Sequence, residues 1–328
     1  MITATADVVE RLRASDEPSI RLRVRVGVLG EQPTAGLLED VRDSERVHAL
    51  LSERGSDGTI PQHPYMKWTG AHWVLALLAE LGYPAGDESL APLREQVYGW
   101  LLSDYHERRW TRRVGGLARI HASQEGYALW ALHTLGLADD RAGQLVERLL
   151  DTQWPDGGWN CDTDATGRTS AFSESLLPLR GLALHARASG DERAREAAER
   201  AAEVFLSRRL FRRRSTGTPI DDEFVELHFP CYWRYDVLFG LEAMSETGFL
   251  ADRRCHEALD LLESKRLSDG GWPAEGRFYG SASTPSRRTL VDWGGASRRR
   301  SNDWVTVRAL AVLVASRSAR SRARVPGR

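Results

Sequence analysis

The sequence predicts an all-α protein assembled from repeated helix pairs, on three observations. One apolar helix pattern recurs five times, a more charged pattern with a single apolar stripe lies between its copies, and several of the joints are turns built on Asp and Gly.

The apolar copies are "HWVLALLAELG" from His72, "GYALWALHTLG" from Gly126, "SESLLPLRGLA" from Ser173, "YDVLFGLEAMS" from Tyr235 and "WVTVRALAVLV" from Trp304. Their alignment puts Leu81, Leu135, Leu182, Met244 and Leu313 in register. Apolar over much of their circumference, they suit inner helices walled on both sides. Outer helices are legible in "LAPLREQVYGWLLSD" from Leu90, "DRAGQLVERLLDTQ" from Asp140, "DERAREAAERAAEVFLSRR" from Asp191 and "DRRCHEALDLLESKR" from Asp252, with acidic starts and charge around one stripe. Residues 1–54 add a helical pair packing on the repeats, and Ile20 to Val28 is the stretch there that also suits a strand. Residues 55–314 hold the repeats. The ending 315–328, "ASRSARSRARVPGR", has five arginines, no acid and no apolar period, and is expected to be a basic disordered tail.

With 328 residues, 41% of them apolar, the chain can bury a sizeable core. Its 45 basic and 46 acidic residues nearly cancel, and the tail takes five of the basic ones, so no basic face points to nucleic acid. The dense apolar stretches are too short for a transmembrane span, "WVLALLAELG" being broken by Glu80, which leaves peripheral membrane contact open. Three cysteines, Cys161, Cys231 and Cys255, with no signal-peptide pattern ahead of them, suggest a reducing, cytoplasmic setting.

Helix pairs repeated in this way run on as an open solenoid or close into a ring, and periodicity does not choose. The inner-to-outer connections are short. The outer-to-inner ones are long and rich in Gly, Trp, His, Cys and Asp, which gathers them at the N-terminal ends of the inner helices and makes that end the candidate functional face.

Two of these long connections share a motif, "QWPDGGW" (Gln153 to Trp159) and "RLSDGGW" (Arg266 to Trp272), with a weaker form, "RGSDGTI", from Arg54. Gly supplies a positive-φ residue after a helix and Asp closes the turn. Gln153, Gly157 and Trp159 match the Gln-x-x-x-Gly-x-Trp core of the QW repeat of squalene–hopene cyclases and other triterpene cyclases. A similar turn occurs in the β subunits of protein prenyltransferases. The strings "KWTGAHWVLALLAELGYP", "HFPCYWRYDVLFGL" and "SKRLSDGGWPAEG" resemble bacterial prenyltransferase or squalene-cyclase repeat proteins. The resemblance implies a single α/α toroid of about five to six inner and outer helix pairs, and the site must be argued separately from the ring.

At the inner-helix starts, Glu125, Glu174 and Asp303 either cap helix N-termini or face a cavity. Trp68, Trp73, Tyr127, Tyr235 and Trp304 offer the aromatic lining that a largely apolar ligand requires. The densest aromatic stretch, "YWRYD", sets Tyr232, Trp233 and Tyr235 beside Cys231, Arg234 and Asp236. Its rings would steady a cation or simply pack a wall, and Arg234 would pair with Asp236 or Glu174 or receive a substrate anion.

"DTDAT", Asp162 to Thr166, resembles the Asp-x-Asp-Asp-Thr motif of squalene-cyclase-type cyclases, with Ala165 in place of the last Asp. The resemblance implies Asp164 as a proton donor tuned by Asp162, which requires a neutral carboxyl in a dry pocket. The alternative is a solvated loop of Asx turns. His72 or His228 would serve as base. Protein prenyltransferases hold zinc with Asp, Cys and His, and His121, Cys161, Asp162, His228 and Cys231 lie in the long connections, the "HFPC" spacing suiting two ligands on one ion. The family's Asp-x-Cys is absent where "SAFSES" stands, so no cofactor is favoured and zinc stays open.

Three readings follow. The first is an enzyme that binds an isoprenoid or other hydrophobic small molecule and acts on it by acid/base or carbocation chemistry, as a cyclase, isomerase or lyase. The second is a zinc-dependent transferase or lyase using Cys161, Asp162, His228 and Cys231. The third is a non-catalytic helical-repeat module that binds a peptide or protein.

Overall fold

The structure is a computed structural model describing residues 2–280 and 288–323. It is mostly helical, as the periodicity requires. The N-terminal helices are α1 (Ile2–Arg13), α2 (Pro18–Arg23), α3 (Ala35–Arg42) and α4 (Glu45–Leu51). There follow α5 (Ala71–Leu81), α6 (Ala91–Leu101), α7 (Asp104–Trp110), a hairpin of β1 (Arg112–Val114) and β2 (Leu117–Arg119), α8 (Ala122–Thr134) and α9 (Ala142–Thr152). The rest are α10 (Phe172–Ser189), α11 (Glu192–Leu206), α12 (Val237–Glu246), α13 (His256–Ser264) and α14 (Asp303–Ala323).

The chain divides into two compact units. One comprises Ala49–Phe205 and Tyr279–Leu290; the other comprises Met1–His48, Leu206–Phe278 and Val291–Arg328. In the first, the inner helices α5, α8 and α10 lie side by side with α8 in the middle, α6 packs on α5 and α8, and α9 packs on α8. Helices α8 and α10 meet backbone to backbone: a Cβ at Gly126 would stand 2.2 Å from the Pro178 nitrogen, and one at Gly181 2.5 Å from the Gly126 carbonyl oxygen. Glycine is needed there for approach. In the second unit, α12 packs on α13 and α14, and α14 also packs on α2 and on a π-helical turn, Val24–Val28.

The repeated turn is structural in both units and is built the same way twice. Trp159 is fully buried and its indole N–H donates to the Leu149 carbonyl at 3.0 Å, while Trp272, equally buried, donates to Leu262 at 2.7 Å. Each Trp backbone N–H is taken by a hydroxyl of the following inner helix, Ser175 Oγ at 3.0 Å or Thr306 Oγ1 at 2.9 Å. Gln153 bridges the Gly157 and Ala197 carbonyls.

While the expectation for the tail is corrected, Ile20 to Val28 follows the helical reading and not the strand alternative, α2 running into the π-helical turn. Glu17 caps it, Pro18 opens it, and burial on opposite helix faces mimics alternation: Ile20 and Val24 share one face, while Leu22 packs on Leu37 and Val41. The basic ending is not disordered from residue 315. Helix α14 continues to Ala323, because Ala and Arg are strong helix formers and the residues up to 323 include no Gly or Pro; residues 324–328 lie outside the described part. The hairpin was not anticipated. Its strands are arginine-rich and short, and its signal is the Gly115–Gly116 pair, both at positive φ, which forms a two-residue turn.

Candidate functional site

The first unit holds the chemically suggestive group. His121 precedes α8, Glu174 lies in the first turn of α10, and Cys161 sits in the loop after the Trp159 turn. His121 Nδ1 is 3.3 Å from Glu174 Oε1, the backbone N–H of Ser123 donates to Glu174 Oε2 at 3.0 Å, and potential ligand atoms of His121, Cys161 and Glu174 lie within 4.8 Å of one another. Glu174 is therefore both a cap on the neighbouring helix α8 and a group facing an imidazole. Burial, reinforced by Glu174, pushes the Cys161 thiol up to about 12. Tyr65 is also moved well above the usual phenol value, by burial first, with Gln124 opposing and Glu174 adding to the shift. Both stay protonated at neutral pH.

Two depressions adjoin this group. One, of about 220 Å³, is lined by Arg109, Arg112, Arg119, His121, Cys161 and Thr163. The other, of about 450 Å³, has His63, Tyr65, Met66, Lys67, Trp100 and Tyr105 on its walls, with Arg109 and Gln124. Arg109 lines both. Met66 is 47% exposed and Tyr105 64%, large apolar surface left open to this one depression.

The sequence candidates distribute as follows. His72 is completely buried behind the apolar depression, against Tyr65, Trp73, Trp100 and Tyr127. Burial, then the nearby His106, drives its pKa down to about 3. It is a neutral wall residue, too weak a base for the role expected of it. Trp68, Trp73 and Tyr127 are likewise buried and do not line either depression. Glu125 is held in a buried relay, 3.4 Å from His106 and 3.3 Å from Arg148. Burial pushes its carboxyl up, but the bond from His106 and the His106 and Arg148 charges leave it below its ordinary value.

Asp162 and Asp164 are exposed and form successive Asx turns: Asp162 Oδ1 accepts from Asp164 N at 3.0 Å, and Asp164 Oδ1 from Thr166 N and Oγ1 at 2.9 and 2.8 Å. The Thr166 N–H and hydroxyl lower the pKa of Asp164. A proton donor needs the opposite shift, so the solvated-loop alternative describes this motif.

In the second unit, His228, Cys231 and Asp236 form a sealed cluster. His228 Nδ1 lies 3.4 Å from Asp236 Oδ2, and the Cys231 thiol donates to Asp236 at 3.5 Å. Asp236 caps α12 through Phe239 N and also takes the His228 backbone N–H. His228 stacks on Phe278. Tyr235 donates to the Leu210 carbonyl, Tyr232 is buried, and Trp304 stacks on Phe229. Arg234 pairs with Glu223 at 2.7 Å, rather than with Asp236 or Glu174, and covers Trp233 and Phe278. Tyr232 and Tyr235 are thus buried in the wall, and Trp233 is half-buried against Arg234. The zinc foursome divides, Cys161 and Asp162 belonging to one unit and His228 and Cys231 to the other.

No family model and no curated protein matches the chain. A crystal structure of a protein from Actinoplanes is similar over 97% of this chain and 99% of that one, at 18% identity and a TM-score of 0.43, a likeness too shallow to carry fold family or activity. Among the described residues no helix is long and apolar enough to cross a membrane.

Proposed function

We propose that the chain is an enzyme that binds an isoprenoid or similarly hydrophobic small molecule in the first unit and moves protons on it. The observation that carries this reading is the junction at Tyr65. Its ring lines the depression bearing the exposed Met66 and Tyr105, while its hydroxyl feels Gln124, Glu174 and Cys161. An apolar bed beside a few convergent titratable groups is what a small-molecule site requires. The inner and outer helix pairing within each unit, and the doubled Trp turn, support the α/α-toroid reading of the sequence.

Glu174, oriented by His121 and Ser123 N, accepts a proton and returns it at another substrate atom, while Tyr65, held in its protonated form, donates a hydrogen bond to the charge that develops between the two transfers. One proton taken and one returned is the stoichiometry of an isomerase. Removal coupled to departure of a leaving group with its electron pair, so that the C–H electrons form a new double bond, is that of a lyase. Incubation with geranyl, farnesyl and geranylgeranyl diphosphates and with squalene, followed by mass spectrometry, tests the reading. At least one is expected to be bound and converted, with Glu174→Gln abolishing conversion while binding persists. Failure to bind or convert any of them at high enzyme concentration overturns the isoprenoid form of the proposal.

A second reading is favoured by one observation, the convergence of His121, Cys161 and Glu174. Imidazole, thiol and carboxylate form a donor set suited to zinc, and three protein ligands leave a fourth position for a substrate atom. Bound there, zinc would polarise a substrate oxygen and hold Cys161 as thiolate. Elemental analysis of protein purified without added metal is expected to give about one zinc per chain on this reading; no bound zinc rejects it.

A further inference from the structure

The smaller depression holds a buried positive charge that, among the described residues, forms no ion pair. Arg119 is 2% exposed, and its Nε and Nη1 make no hydrogen bond. Its Nη2 donates to two backbone carbonyls, Asp164 at 3.0 Å and Gly167 at 2.9 Å, and its guanidinium stacks on Trp154 at 4.4 Å. Other deeply placed arginines are neutralised: Arg180 by Glu80, Arg308 by Glu242 and Arg148 by Glu125. Leaving one guanidinium uncompensated is costly unless something else supplies the charge. The Asp164 carboxylate is within electrostatic reach, but its Oδ1 is engaged by Thr166 and it makes no ion pair with Arg119.

A second observation is independent of the first. In the hairpin, Arg112 stands directly opposite Arg119, so two cations share one face of adjacent strands. Like charges at directly opposed positions destabilise a strand pair. Arg112 is exposed and, among the described residues, has no ion-pair partner. Both line the same depression, and Arg109 joins them from α7.

We infer that Arg112, Arg119 and Arg109 form a binding site for a multiply charged oxyanion, a phosphate or diphosphate group carried by the ligand. A single carboxylate would leave most of this charge unanswered, whereas a di- or trianion accepts bonds from several guanidinium forks at once. The inference rests on the function proposed above only in letting the rest of that ligand extend toward Tyr65 and Trp100; the anion site stands or falls by itself.

Calorimetric titration of the full chain with inorganic phosphate, pyrophosphate, farnesol and farnesyl diphosphate tests it. Pyrophosphate is expected to saturate and to raise the melting temperature. Arg119→Gln is expected to abolish this, but Arg119 also holds the 164–167 loop, so the exposed Arg112→Thr decides. That variant should bind pyrophosphate about tenfold more weakly, yet melt at the same or a higher temperature than wild type without ligand, since it relieves the cross-strand repulsion. A merely structural arginine would do the reverse. Lack of saturation by pyrophosphate or phosphate at millimolar concentration, or equal affinity in Arg112→Thr, overturns the site. Farnesol binding without pyrophosphate binding removes the anion site and spares the hydrophobic pocket. Pyrophosphate binding with no gain for farnesyl diphosphate keeps the anion site and removes the hydrophobic reading.

Discussion

His121, Cys161 and Glu174 in one unit, and His228, Cys231 and Asp236 in the other, are the same three kinds of side chain at nearly the same spacing. The imidazole-to-carboxylate distance is 3.3 Å in the first and 3.4 Å in the second. Their surroundings differ. Asp236 is completely buried and its oxygens are taken by Phe239 N, His228 N and the Cys231 thiol, whereas His121 and Cys161 are half-buried and line a depression. The lesson is that a His, a Cys and an acid are equally good material for a helix cap and for a reactive group. Access to a ligand separates the two.

The comparison breaks most visibly at the two acids. Asp236→Ala strips three donors in a dry interior and is expected to lower unfolding free energy by about 3 kcal/mol, measured by urea titration. Glu174→Gln retains a carbonyl for Ser123 N and should cost about 1 kcal/mol or less while eliminating turnover. Equal destabilisation without loss of function at Glu174 would make it a second structural cap.

A third histidine sharpens the contrast through pH. His72 titrates near 3 when folded and near 6.5 when unfolded, so between these values the unfolded chain binds more protons. Stability is therefore intact above about 6.5 and is lost as pH falls toward 3, by on the order of 4 kcal/mol from this residue. His72→Phe should flatten that acid limb in a pH series of thermal melts. An unchanged limb would show that His72 is not held neutral by its burial.

The smallest effect concerns the thiols. Cys161 should be alkylated slowly, but before the buried Cys231 and Cys255, and Glu174→Gln should speed its modification several-fold by removing a charge that raises the thiol pKa. Peptide mass mapping over a time course reads the order directly. Modification of Cys231 first would reverse the assignment of the open and sealed clusters.

Much of the architecture was legible because it is local. The spacing of apolar residues placed the starts of α5, α10, α12 and α14 within a few residues, and "QWPDGGW" announced a turn whose bonds run to the helix just before it and the one just after. The site was much less legible, since its contacts are long-range: His121 meets Glu174 across 53 positions of sequence. Asp164 attracted attention through a motif, but with Ala165 after it and water around it, nothing keeps its proton. No sequence motif marks Arg112 and Arg119, which only a two-residue glycine turn sets opposite each other.

Glu174 also ties chemistry to mechanics. The oxygen that accepts the Ser123 amide belongs to the carboxyl that takes the proton in the proposed reaction, so every turnover weakens the clamp on the first turn of α8. On that proposal the amide of Ser123 is expected to exchange with deuterium faster during catalysis than at rest. A single backbone position would thus act as a built-in reporter of protonation, with no probe group attached.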